Sequence, residues 1–203
     1  MVKVIVFDIG GVLIELDPER CIRAFQEILG FARITEILDP CHQKGIYGDM
    51  EAGILPASRF RELILAESRP GCRPEDVDRC MAALLVGMQP DTVETVKRLA
   101  ARYPLYLLTN NNPISMARTY QILRENGLEA ESTFRGQFIS WEMKMLKPSP
   151  EFYREVIRRI GLPARELLFV DDNTANVEGA RAVGMEARVY VSGTDLGALL
   201  ADC

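Results

Sequence analysis

Four short, nearly unbroken apolar runs punctuate the chain, at residues 2–7, 105–108, 166–170 and 187–191. Each has a length that suits a strand buried on both faces, and continuous rather than alternating hydrophobicity predicts a parallel sheet covered by helices. Between the runs, apolar positions recur at helical spacing. Segment 90–103 opens with Pro-Asp-Thr and keeps Val93, Val96, Leu99 and Ala100 on one stripe. Segment 114–125 ends at Asn126-Gly127, segment 150–160 is capped by Ser149 and stopped by Gly161, and segment 174–183 is stopped by Gly184. Strands alternating with helices predict a doubly wound, Rossmann-like α/β core.

Residues 18–87 break that alternation. Their pattern predicts helices over 18–29, 56–68 and 74–86, a less regular stretch over 31–54, and no convincing buried strand. The expected division is therefore a core of residues 1–16 and 88–203 and a helical cap of residues 17–87. A module inserted after the first strand is placed to cover the carboxyl edge of the sheet, where open α/β folds bind ligands. Tyr47, His42, Lys44 and Glu51 are the candidates for lining its entrance. Met81, Leu84 and Leu85 read as a buried helical stripe, and Trp141 and Met143 as packing.

A chain of 203 residues with 48% hydrophobic and 26% charged residues has the composition of a globular protein, long enough for one domain with an insertion. The net charge of −5 gives no reason to expect a nucleic-acid partner. The first apolar run is stopped by Asp8, too early for a membrane span, so a cytoplasmic protein acting on a small molecule, away from membranes, is expected. Cys21, Cys41, Cys72, Cys80 and Cys203 form no C-x-x-C pair and read as free thiols. One histidine, His42, excludes a His-rich zinc site. G-x-S-x-G, G-x-G-x-x-G and the P-loop are all absent, which leaves carboxylate, hydroxyl, amide or amine chemistry.

That chemistry has a place to assemble. Phe7 is followed by Asp8, Leu108 by Thr109-Asn110, and Val170 by Asp171-Asp172. Asp and Asn also punctuate strands as turn residues, but in a parallel sheet these three positions converge on one edge. Carboxylates crowded there repel unless a cation neutralises them, and hard oxygen donors without His or Cys favour Mg²⁺. Lys147, in Lys147-Pro148-Ser149-Pro150, can reach the same crevice, while the Thr109 hydroxyl and the Asn110 backbone amide offer donors to phosphoryl oxygens.

These segments resemble the four motifs of the haloacid dehalogenase superfamily, in order and over essentially the whole chain. Phe7-Asp8-Ile9-Gly10-Gly11-Val12-Leu13 is similar to the first motif, Leu108-Thr109-Asn110 to the second and Lys147-Pro148 to the third. Residues 169–176, which include Asp171, Asp172 and Asn176, are similar to the fourth. The inserted segment with Glu51-Ala52-Gly53 is similar to the small helical cap of one subgroup. Within it the chain looks most like bacterial phosphatases of α-D-glucose 1-phosphate and the amino-terminal phosphatase domain of epoxide hydrolases. The resemblance implies Asp8 as a nucleophile forming an aspartyl-phosphate, with Lys147 and Thr109 assisting. It further implies phosphate held by Ile9, Thr109, Asn110 and Lys147; Mg²⁺ held by Asp8, the Gly10 carbonyl and Asp172; and Asp171 and Asn176 supporting the site from behind.

The chain departs from the family at Gly10, where phosphatases usually carry an acid that protonates the leaving oxygen. Such help is typically worth ~10²–10⁴-fold, so alkyl phosphates are expected to be poor substrates beside acyl, aryl or anomeric ones. Glu15, Asp17 and Asp171 are the candidate replacements. Two other functions fit the same residues: a metal-free 2-haloacid dehalogenase, which the Asp171-Asp172 pair disfavours, and a phosphate-binding regulatory module with little turnover.

Overall fold

The computed structural model describes residues 1–37 and 45–203, so Cys41, His42 and Lys44 lie outside the described residues. The strands are β1 (Val4–Phe7), β2 (Glu15–Leu16), β3 (Leu85–Gly87), β4 (Leu105–Thr109), β5 (Gly136–Ile139), β6 (Leu167–Asp171) and β7 (Glu186–Val189). Among the described residues, five of them form a parallel sheet in the order β5-β4-β1-β6-β7. The four expected strands are present. The fifth, β5, escapes the hydrophobic pattern because Gly-Gln-Phe-Ile buries only Phe138 and Ile139 at the sheet edge.

Alternation along the strands sends successive side chains into two cores. Ile5, Phe7, Leu105, Leu107, Leu168 and Val170 pack on one face, against Val93, Val96, Leu99, Met116 and Ile122. Val4, Val6, Leu108, Leu167 and Phe169 pack on the other, against Phe152, Tyr153, Val156, Val177 and Ala180. Helices therefore cover both faces, the doubly wound α/β arrangement expected from the pattern. β1 lies between β4 and β6, so the chain reverses its winding direction at the carboxyl ends of these three strands.

The insertion carries α1 (Pro18–Ala24), α2 (Ile34–Ile37), α3 (Gly45–Glu51), α4 (Ala57–Ala66) and α5 (Pro74–Ala82), with a π-helical turn at Phe25–Leu29. Asp17 caps α1 by accepting from the Arg20 N–H. Cys21, Phe25, Leu29, Phe60, Ile64, Val77 and Met81 form a third apolar cluster between these helices. Two corrections follow. The last helix ends at Ala82 rather than residue 86, because Leu85–Gly87 pairs antiparallel with Glu15–Leu16. The stretch is thus not free of strand, and Met81 is buried among helices while Leu85 belongs to a ribbon joining the chain's entry to and exit from the insertion.

The remaining helices are α6 (Pro90–Ala100), α7 (Pro113–Glu125), α8 (Ala130–Thr133), α9 (Ser140–Met143), α10 (Pro150–Ile160), α11 (Thr174–Ala182) and α12 (Leu196–Leu199). Ser149 stands at the start of α10, but its hydroxyl donates to Glu151 Oε2 at 2.6 Å instead of capping the backbone. Trp141 and Met143 pack against the two sheet cores as expected. Among the described residues no helix is long and apolar enough to cross a membrane.

Candidate active site

The carboxyl ends of β1, β4 and β6 open into a cleft of about 370 Å³ roofed by the inserted helices. Asp8, Ile9, Gly10, Thr109, Asn110, Lys147, Asp172 and Asn176 all line it. Residues separated by more than a hundred positions in the chain thus meet in one place. Asp8 is anchored at the end of β1, where its N–H donates to the Val170 carbonyl at 2.9 Å. The turn that follows takes a left-handed conformation at Gly11, and a β-carbon there would overlap the Asp172 carboxylate. Glycine at this point lets the two acidic segments approach each other.

Lys147 is the electrostatic centre. Its side chain is 1% exposed, and its Nζ lies 2.7 Å from Asp171 Oδ2, 2.9 Å from Asp8 Oδ1 and 3.1 Å from the Leu108 carbonyl. Asp171 and the Leu108 carbonyl accept hydrogen bonds from this ammonium, and Asp8 forms an ion pair with it. Burial works against the ammonium, but Asp171 and Asp8 outweigh it and hold its pKa above the usual value. Asn110 positions this lysine: its side-chain amide donates to the Lys147 carbonyl at 2.9 Å, and its Oδ1 accepts from the Lys147 N–H at 2.8 Å.

Asp171 is fully buried and saturated with donors. Besides Lys147, its Oδ1 accepts from the Asn173 N–H at 2.8 Å and from Asn176 Nδ2 at 3.0 Å. Asn173 in turn caps α11, accepting from the Ala175 N–H at 2.8 Å. Asp172 sits at the exposed mouth, and one carboxylate oxygen from each of Asp8, Asp171 and Asp172 lies within 4.8 Å of the others. One ammonium cannot balance three carboxylates. Burial first, then Asp171 and Asp172, push the Asp8 pKa up to about 7 against the pull of Lys147. An all-oxygen donor set with surplus negative charge fits a hard divalent cation.

The decisive comparison covers most of the sequence: residues 2–184 match the model of the haloacid dehalogenase-like hydrolases. The chain belongs to this family. A D-ribitol-5-phosphate phosphatase of Bacteroides thetaiotaomicron is 28% identical over 196 residues, spanning 96% of this chain and 95% of its own length. A sesquiterpene phosphatase of Aspergillus oryzae is 32% identical over 195 residues, spanning 90% of this chain and 87% of its own. A HAD family enzyme of Bacteroides thetaiotaomicron, bt-2542, solved with magnesium and inorganic phosphate, superposes with a TM-score of 0.90 at 30% identity, covering 98% of this chain and 99% of that one.

In this hydrolase the three expected substitutes for an acid at Gly10 are engaged elsewhere. The Glu15 carboxylate accepts from Gln89 Nε2 at 2.7 Å, Asp17 caps α1, and Asp171 is tied to Lys147 beneath the cleft. Glu51 is different: it lines the cleft from the end of α3, is 4% exposed, and its Oε2 has no hydrogen-bond partner among the described residues. Tyr47, one turn earlier, lines the same cleft and offers the Glu51 carboxyl a hydrogen bond.

Ser140, fully buried, fastens Glu51 to the sheet layer. Its Oγ donates to the Glu51 carbonyl at 2.6 Å and accepts from the Asn111 N–H at 3.0 Å. Ser140→Ala leaves both backbone groups without that partner, an expected loss of about 2–3 kcal/mol, or roughly 5–10 °C in a thermal melt. An unchanged melt would show that the hydroxyl does not fasten the two layers.

Proposed function

We propose that this hydrolase is a Mg²⁺-dependent phosphatase of small organic phosphates working through an aspartyl-phosphate on Asp8. The observation that carries the reading is the meeting of the Asp8, Asp171 and Asp172 carboxylates over a buried Lys147. Asp8, the Gly10 carbonyl and Asp172 would hold the cation, since both Asp171 oxygens are already engaged by donors. When bound, Mg²⁺ neutralises the surplus charge and lets a phosphate dianion approach an aspartate. Lys147 favours the ionised form of Asp8 and orients it for attack on phosphorus, and the Ile9 backbone, Thr109, Asn110 and Lys147 receive the phosphoryl oxygens.

Residues 17–87 serve as the cap over a core of residues 1–16 and 88–203. The cleft pairs apolar Leu16, Leu84 and Leu85 with polar Tyr47, Asn111 and Ser115. That lining suits a small polyhydroxylated phosphate, in keeping with the ribitol phosphate named for one relative. The same carboxylate cluster disfavours a halocarboxylate, which would enter an anionic site without the cation.

Phosphate release from a panel of sugar, polyol and aryl phosphates tests the reading. Turnover is expected with Mg²⁺, to fall at least ~10²-fold in excess chelator, and to return when Mg²⁺ is restored. Halide release from 2-haloacids that ignores the chelator would contradict it.

A further inference from the structure

Gly10 leaves the departing oxygen without its usual proton donor, and the phosphatase reading above makes that a defined chemical requirement. The sheet layer has no replacement at that point: a β-carbon on Gly10 would stand 3.1 Å from Leu16 Cδ1, so an apolar side chain occupies the space into which a side chain there would project. In-line displacement sets the leaving oxygen opposite Asp8 across phosphorus, facing the inserted helices rather than the sheet edge. Glu51 stands among those helices, on the wall of the same cleft, with a buried Oε2 that has no partner among the described residues. A buried carboxyl oxygen without a donor is costly as an anion and suited to carrying a proton. The Ser140 clasp on its backbone holds it in register with the loop after β4.

We propose that Glu51 is the general acid that protonates the leaving oxygen, and the general base for the water that follows. In the first half-reaction an Asp8 oxygen bonds to phosphorus as the ester P–O bond breaks. The Glu51 proton passes to the departing oxygen, and the alcohol leaves with Glu51 ionised. In the second, the oxygen of a water molecule bonds to phosphorus and one of its protons returns to Glu51. The bond from phosphorus to Asp8 breaks, inorganic phosphate leaves, and Asp8 is again a carboxylate.

Both protonation states are accessible near neutrality. Burial pushes the Glu51 pKa up to about 7, with Tyr47 and Lys147 pulling down and Asp8 pushing up. Among the described residues, the titratable groups that act on it are Tyr47 on α3, Lys147 in the loop before α10 and Asp8 after β1. With an acid present, alkyl phosphates become competent substrates, in contrast to the expectation drawn from Gly10 alone.

The test compares an alkyl phosphate such as ribitol 5-phosphate with an aryl phosphate such as p-nitrophenyl phosphate, in saturating Mg²⁺. Glu51→Gln is isosteric, and a thermal melt checks that it folds. Its kcat on the alkyl ester is expected to fall ~10²–10³-fold, and on the aryl ester, whose leaving group needs little protonation, less than ~10-fold. Wild-type kcat on the alkyl ester should decline as pH rises through about 7, and that limb should vanish in Glu51→Gln. Tyr47→Phe removes a donor that favours the carboxylate, so the same limb should move to higher pH.

Equal losses on both esters, or a rise in KM alone, would overturn the assignment while leaving Asp8 chemistry intact. A Glu51→Gln variant with unaltered alkyl kcat would also overturn it. A wild type that releases phosphate from neither ester would overturn the phosphatase reading and this assignment together.

Discussion

Asp8→Asn is expected to lower kcat by about 10³-fold or more on every substrate the wild type turns over. An amide oxygen is a weak nucleophile, and the neutral side chain is also a weaker ligand for the cation. The fold has no reason to suffer. The Asp8 backbone bond to Val170 survives the change, and in the metal-free protein the native carboxylate is itself strained by burial and by Asp171 and Asp172. The variant should therefore melt at or above the wild-type temperature in chelator, the usual relation between a functional charge cluster and stability. Phosphate-release assays and parallel melts check both halves. Full turnover in the variant would remove Asp8 from the nucleophile's role.

Lys147→Met carries the largest expected structural cost. The ammonium is the buried counter-charge to Asp171 and Asp8 and also donates to the Leu108 carbonyl. Removing it strands two carboxylates, and breaking a buried pair from one side costs about 3–5 kcal/mol. For a chain of this size that is roughly 6–20 °C, measurable by denaturant or thermal unfolding. Turnover should be lost as well, because the phosphate would meet unscreened charge. Lys147→Arg should not restore either property, since a planar guanidinium cannot direct one nitrogen at three converging acceptors. Adding Asp171→Asn to Lys147→Met should recover part of the lost stability, the signature of a direct pair in a double-mutant cycle. Additive losses would mean that the two side chains do not act on each other.

Strands buried on both faces cannot alternate, so β1, β4 and β6 announce themselves as apolar runs, and the polar residues that end them announce the edge where the cleft opens. That logic brings Asp8, Thr109 and Asp172 together across the chain, as the cleft does. It fails where burial is partial. β5 shows two apolar residues after a glycine and a glutamine, and the two-residue β2 is too short to carry a period. The helical spacing of Leu84 and Leu85 with Met81 suggested one continuous stripe, yet Leu85 takes its place in a strand because Leu16 lies across from it.

The site was legible in its anionic half and opaque on the side facing the inserted helices. Glu15, Asp17 and Asp171 are the replacement acids that the sequence offers, but Gln89, the start of α1 and Lys147 claim them. Glu51 stands out in sequence as a candidate for lining the entrance, not as an acid. Only packing reveals that its side chain is enclosed on the wall of the cleft. The Asn110 side chain braces Lys147 through a reciprocal pair of hydrogen bonds, an arrangement across 37 positions that no local pattern encodes. His42 and Lys44, the other candidates near the entrance, lie outside the described residues.

The most direct measurement is a rapid acid quench of the enzyme during turnover of a radiolabelled phosphate ester in Mg²⁺, followed by peptide mapping. Label covalently bound to the peptide that carries Asp8, and absent in chelator, is the predicted result. Steady turnover with label on another residue, or with no label on the protein at any quench time, would contradict phosphoryl transfer to Asp8.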